Sequence, residues 1–252
     1  MSILQPIKGI LQDSWDNITI PLQGDNISIL GDRGSGKTQL FTYLIEKRLL
    51  KNYNPTALKD KTGRVNLSKL HNLTLDRTVK IRKSEDIGGE TDLLEFKKKW
   101  FKKSGLIIYT IKANELWQNQ YAIKSLSRHL NINPQSQALE KDNKKFSSFP
   151  AKLKDIELRI NTDMEHINRW IKEFDRKPPI IIVGNYFGSA INFTCGDTRA
   201  IYRQQFMNLP IISEASNKPN DTQVFVLAGN LTHEQYAQQL VKDIFEFFVK
   251  SK

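Results

Sequence analysis

Apolar and polar residues follow two periods along this chain. Short apolar or alternating runs predict strands at Ile18 to Leu22, Ile27 to Leu30, Val65 to Leu75, Thr78 to Lys83, Gly105 to Ile111, Pro179 to Val183 and Gln223 to Leu227. Between them, apolar residues three and four positions apart predict helices. One carries Leu40, Phe41, Leu44, Ile45 and Leu49; others run from Glu115 to Leu130 and from Ala151 to Phe174. The last carries Leu240, Val241, Ile244 and Phe248, with Thr232 and Gln235 in capping-box spacing before it. Strands alternating with helices predict an α/β domain with a mostly parallel central sheet covered by helices. The runs at Gly105 and Pro179 are continuously apolar, as in strands buried on both faces, and are assigned to the sheet centre. Residues 1–24 are expected to form an N-terminal arm and an extra strand. Residues 25–252 form the main domain, with an insertion over about 113–150 that includes the polar segment NINPQSQALEKDNKKFSSF.

Composition narrows the class. At 252 residues, with 39% hydrophobic and 26% charged residues, the chain is globular rather than disordered, collagen-like or coiled-coil. A net charge of +11 favours an acidic partner, whether nucleic acid, anionic lipid or an acidic protein face. Lys97, Lys98, Lys99, Lys102 and Lys103, interleaved with Phe96, Trp100 and Phe101, form either a solvated basic face or a docking surface for an anionic membrane or a nucleic acid. Cys195 is the single cysteine, so no internal disulfide or CxxC site exists; it is expected to be a small buried apolar residue in a reducing compartment. The first fifteen residues lack the features of a signal peptide. Ile3, Leu4, Ile7, Ile10, Leu11 and Trp15 fall near helical spacing, which suits an arm packed on its own domain or an amphipathic segment at a membrane. The expected location is cytoplasmic, with a peripheral membrane position as the alternative. The four histidines share no metal spacing.

The strongest chemical signal is Gly31-Asp32-Arg33-Gly34-Ser35-Gly36-Lys37-Thr38, which satisfies GxxxxGK[ST] between a predicted strand and a predicted helix. Glycines there let successive backbone N–H groups wrap a phosphate, and the helix N-terminus adds partial positive charge. Lys37 is assigned to the β- and γ-phosphates and the Thr38 hydroxyl to Mg²⁺. Arg33 either supplies charge to the γ-phosphate in cis or points to solvent.

Two further segments carry a family resemblance. Tyr53-Asn54-Pro55-Thr56, with Thr56 placed 18 residues after Thr38, resembles the first switch of Ras-type small GTPases; Asp86-Ile87-Gly88-Gly89 and the residues after it resemble the DxxG motif and second switch of Arf-type GTPases. The resemblance implies a P-loop NTPase fold of Ras-like topology, a Mg²⁺ nucleoside triphosphate (GTP, with ATP as the alternative) and a protein partner at the switch segments. It also implies that Thr56 and Asp86 join Thr38 around Mg²⁺ and that the Gly89 N–H meets the γ-phosphate. Glu90 stands where the family has a catalytic Gln, and offers acceptors and negative charge instead of a donor, so hydrolysis is expected to be slow. The guanine-reading NKxD appears as Asn185-Tyr186-Phe187-Gly188: Asn185 is kept, Tyr186 is offered to a base by stacking, and the reading Asp is missing. Ala228 is assigned to the backbone contact with the base. The alternatives are a non-hydrolysing scaffold and a P-loop ATPase; the ATPase class needs an apolar strand ending in Asp-Glu, which neither GLIIYTI nor PIIIVGN provides.

Overall fold

The computed structural model describes residues 26–31, 34–50, 61–66, 78–83, 98, 101–116, 150–175, 177–186, 192–219 and 222–249. Strands β1 (Asn26–Gly31), β2 (Lys61–Asn66), β3 (Thr78–Lys83), β4 (Leu106–Lys112), β5 (Ile180–Asn185) and β6 (Val224–Gly229) form one sheet in the order β2-β3-β1-β4-β5-β6. Five are mutually parallel, and β2 runs antiparallel to β3 at one edge. The helices are α1 (Lys37–Glu46), the single turn α2 (Ala113–Leu116), α3 (Pro150–Phe174), α4 (Gly196–Met207), α5 (Pro210–Asn217) and α6 (Glu234–Val249).

Period-two alternation sorts the strands onto two cores. Ile27 and Ile29, Leu106 and Ile108, Ile181 and Val183, and Phe225 and Leu227 pack with α1 and α6 on one face. Leu30, Ile107, Tyr109, Ile180, Ile182 and Val226 pack with α3, α4 and α5 on the other. Strands β4 and β5 are buried almost throughout, in accord with their continuous apolar runs and central places. Phe206 of α4 seats against Gly184 so closely that a Cβ there would lie 2.8 Å from its ring. The Tyr109 hydroxyl donates to Asp163 across 2.8 Å, fastening α3 to β4.

The two sheet edges differ. Gln223 and Gly229 present their carbonyls to β5, where Ile180 and Tyr186 donate to them; Val226 has the opposite parity, so its carbonyl points away from β5. Its carbonyl accepts the Arg203 Nε–H of α4 at 2.6 Å. At the other edge the β2–β3 register sets Lys61 opposite Lys83 and Arg64 opposite Lys80.

The α/β prediction holds, and α3 begins one residue before its expected start. Helices α4 and α5 lie where the sequence pattern predicted no element. The arm and first strand expected before residue 25, the residues predicted to continue β2 beyond Asn66, and 117–149 lie outside the described residues. Among the described residues no helix is long and apolar enough to cross a membrane.

Candidate functional site

The loop between β1 and α1 sits at the carboxyl end of the central parallel strands, the edge at which open α/β sheets take ligands. Gly31, Gly34 and Gly36 have φ of 136°, 73° and 99°, all in the region that side chains disfavour. Tertiary contacts enforce two of them. A Cβ on Gly31 would fall 2.1 Å from the Thr110 carbonyl, and one on Gly36 would fall 2.2 Å from Asn185 Nδ2. Beside Gly34, by contrast, no atom of the described residues comes within 4 Å of where a Cβ would stand. Among the described residues, the loop is therefore packed at Gly31 and Gly36 and uncrowded at Gly34.

Lys37 opens α1 and is 2% exposed; its ammonium donates to the Gly31 carbonyl at 2.9 Å, curling over the loop. Thr38 follows it in the first turn, also buried, and that turn contains no acidic residue. A buried cation, a helix N-terminus and a glycine-lined open cradle make an anion site, and these residues fit a phosphate chain with its Mg²⁺. Behind the loop, Ser35 donates to the Thr110 hydroxyl at 2.6 Å, and Thr110 donates onward to the Leu30 carbonyl at 3.2 Å. Sequence reasoning missed Thr110, which carries no motif and matters only because β4 lies beside β1.

Asn185, at the end of β5, joins three segments. Its Nδ2 donates to the Ser35 carbonyl at 3.1 Å, and its Oδ1 accepts the Leu231 N–H at 3.1 Å. Both ends of the amide are engaged within the protein, at 0% exposure.

This is the fold of the P-loop NTPases. No family model matches the sequence, and neither does any curated protein. Among solved structures the chain is similar to one in "The Structure of the Mammalian SRP Receptor", with a TM-score of 0.50 and 11% identity, over 88% of this chain and 99% of that one. At that identity the likeness concerns the fold alone.

Several assignments change. Tyr186 is 3% exposed and lies in an aromatic cluster, 5.5 Å from Phe193 and 5.2 Å from Tyr202 between ring centroids. Burial pushes its phenol well above the ordinary range. It is a core ring rather than a platform for a base, because Phe193, just before α4, and Tyr202 on α4 pack back onto it. Ala228 lies inside β6, paired in register with Gly184. The segment that reaches the phosphate loop is three residues later, at Leu231, whose Cδ1 lies 3.0 Å from where a Gly36 Cβ would stand. Thr232 donates its hydroxyl to Asn230 Oδ1, and α6 starts at Glu234 rather than from a Thr232 cap. Cys195, expected to be buried, is exposed at the N-cap of α4, where hydrogen bonds from Thr198 lower its thiol pKa.

The described part of the lysine cluster is fastened to the protein itself. Phe101 is buried against Trp170, Lys98 pairs with Glu173 at 2.8 Å, and Lys98 and Lys102 both lie over the Phe174 ring. The Lys103 carbonyl accepts the Asn26 side chain at the start of β1, so this end lies a strand length, roughly 17 Å, from the phosphate loop. Asp32, Arg33, Thr56, Asp86, Gly89, Glu90 and Gly188 lie outside the described residues.

Proposed function

We propose that the chain binds a Mg²⁺ nucleoside triphosphate, GTP or ATP, hydrolyses it slowly, and uses the difference between bound states to control a protein partner, in the manner of Ras/Arf-type GTPases. The observation that carries this reading is the glycine-shaped loop with Lys37 folded over it and Thr38 in the first turn of α1. Lys37 orients the β- and γ-phosphates as a point charge, and the Asn185 bridge holds the loop in shape. Thr38, Thr56 and Asp86 would hold Mg²⁺, which supplies charge neutralisation at the bridging phosphate oxygens. Thr56 and the Gly89 N–H would sense the γ-phosphate, with Glu90 near the attacking water. The base is read less strictly than by an intact NKxD, because Gly188 has no carboxylate and both ends of the Asn185 amide are committed.

Chromatography of nucleotide released from gently purified protein, with calorimetric titration of Mg²⁺–GTP and Mg²⁺–ATP, tests the reading; a chain that neither carries nor binds either one refutes it. Glu90→Gln should raise the single-turnover hydrolysis rate by restoring a donor. Complete loss of a measurable parent rate would instead make Glu90 the base. A second reading, a non-hydrolysing scaffold that binds nucleotide weakly or not at all, is favoured by the missing carboxylate at Gly188; it predicts little or no bound nucleotide and no turnover in either protein.

A further inference from the structure

Thr110, near the end of β4, meets the phosphate loop at both of its limbs. On the entry side its hydroxyl donates to the Leu30 carbonyl at 3.2 Å, and its backbone carbonyl packs where a Gly31 Cβ would stand. On the exit side the same hydroxyl accepts from Ser35 at 2.6 Å. Ser35 is also held by its main chain, because its carbonyl takes the Asn185 Nδ2–H at 3.1 Å. One hydroxyl on β4 therefore ties the last residues of β1 to the residue just before Gly36 and Lys37.

Two features say what this joint does. Ser35 lies between Gly34 at φ 73° and Gly36 at φ 99°, and does not itself have a positive φ. Backbone that alternates in this way turns successive N–H groups toward one point and makes an anion-binding concavity. Its central residue is the one gripped by Thr110 and Asn185. The second feature is chemical. Ser35 and Thr110 are both at 0% exposure, a place where Ala and Val would fill the space with no polar group to satisfy. A hydroxyl pair adds direction, which an apolar contact lacks.

We propose that Thr110 is a positioning residue for the phosphate loop: through the Ser35 hydroxyl it sets the direction of the backbone donors around Ser35, and through the Leu30 carbonyl it anchors them to the end of β1. This rests on the nucleotide reading above, and adds to it a residue from a strand remote in sequence from the loop. The grip acts on backbone donors to phosphate, so it serves a polyphosphate with or without a nucleoside.

The test uses the full chain and three probes, Mg²⁺–GTP, Mg²⁺–ATP and magnesium tripolyphosphate, which has phosphates but no nucleoside, together with the melting temperature of the unliganded protein. Thr110→Val keeps the shape and removes the hydroxyl. It should weaken all three ligands about tenfold, the worth of one hydrogen bond. It should also lower melting by about 4 °C, because the buried Ser35 hydroxyl loses its acceptor. Thr110→Ser restores the hydroxyl and should bring affinity back to within about twofold of the parent. The deciding protein combines Ser35→Ala with Thr110→Val, so that neither polar group is left to satisfy: melting should recover toward the parent while the loss of affinity persists. If Thr110→Val alone does not fold, this double variant still decides, by its affinity at near-parent melting. Affinity that recovers along with melting, or that never falls, overturns the positioning role and leaves the pair a matter of stability. A loss confined to GTP and ATP overturns it too, since backbone donors to phosphate would then not be what the pair holds. A parent that binds none of the three probes overturns the nucleotide reading and this inference with it.

Discussion

In the β1–α1 loop, three glycines, Lys37 and Thr38 fall within eight consecutive residues, the glycines shaping the backbone and Lys37 folding its ammonium over it. Around Asn185, the Asn185 amide, the Leu231 N–H, the Phe193 carbonyl and the Arg199 and Asp243 side chains come together from separate segments. One side is specified by local chain conformation, the other by which helices pack together. The first resembles a known family residue by residue, while the second departs from it. A phosphate makes the same demand of any chain, that of donors converging on a negative charge, whereas a base can be read by many arrangements.

The sharpest way to test this contrast is to remove the loop cation. Lys37→Ala should weaken Mg²⁺–nucleotide and Mg²⁺–tripolyphosphate binding together, by about a thousandfold, since hydrogen bonds from a charge to two phosphates are lost; calorimetry reads both. A loss confined to nucleotides would place Lys37 on the wrong side of the comparison.

Backbone demand is tested by pairing glycines. Gly36→Ala puts a Cβ into Asn185 and strains a left-handed φ, so a loss of about 3 kcal/mol in thermal or urea unfolding is expected. Gly34→Ala carries the φ strain alone, with open space beside it, and should lose about 1 kcal/mol. Equal losses would mean that Asn185 does not shape the loop.

The bridge between the sides is Asn185 itself. Asn185→Ala leaves the Ser35 carbonyl and the Leu231 N–H without their partner and should cost about 2 kcal/mol. Nucleotide affinity should fall more than tripolyphosphate affinity. Asp243 offers a test by pH. Burial raises its carboxyl from 3.8 to about 6, outweighing the pull of Arg199. A folded pKa above the unfolded one means that the folded state binds more protons, so stability should fall as pH rises from about 4 to about 6. Asp243→Asn should flatten that slope in pH-dependent melting. A slope unchanged in Asp243→Asn would assign it to another group.

Much of this design is legible in the order of residues along the chain. The strands at β1, β4, β5 and β6 announce themselves because each is a short apolar run between polar ends, and the phosphate loop does so because its chemistry is contiguous. Helix α4 escapes notice because only Thr198, Tyr202 and Phe206 are buried along its twelve residues, a stripe too thin to separate from a loop. Helix α5 has eight residues, and its start signal is Pro210 after Leu209. Tyr186 misleads for a physical reason: a tyrosine beside a ligand and a tyrosine in a core look alike until the aromatic partners seven and sixteen residues later are known to fold back. Ala228 lies within β6, which runs on to Gly229, and the residue whose N–H meets Asn185 is three places later, at Leu231.

The sheet edges bear on how the protein behaves at high concentration. A parallel sheet with open ends is a template for adding strands, and polymerisation through such edges is the common failure of exposed β-structure. At β6, Arg203 already occupies the outward carbonyl of Val226, so an incoming strand would have to displace a half-buried guanidinium. At β2, the outermost described strand on the other side, the register sets Lys61 opposite Lys83 and Arg64 opposite Lys80, and basic residues are among those by which edge strands resist further pairing. Association through the two outermost described strands is thus opposed by a guanidinium on a β6 carbonyl and by the basic sequence of β2, and only the second of these is weakened by added salt.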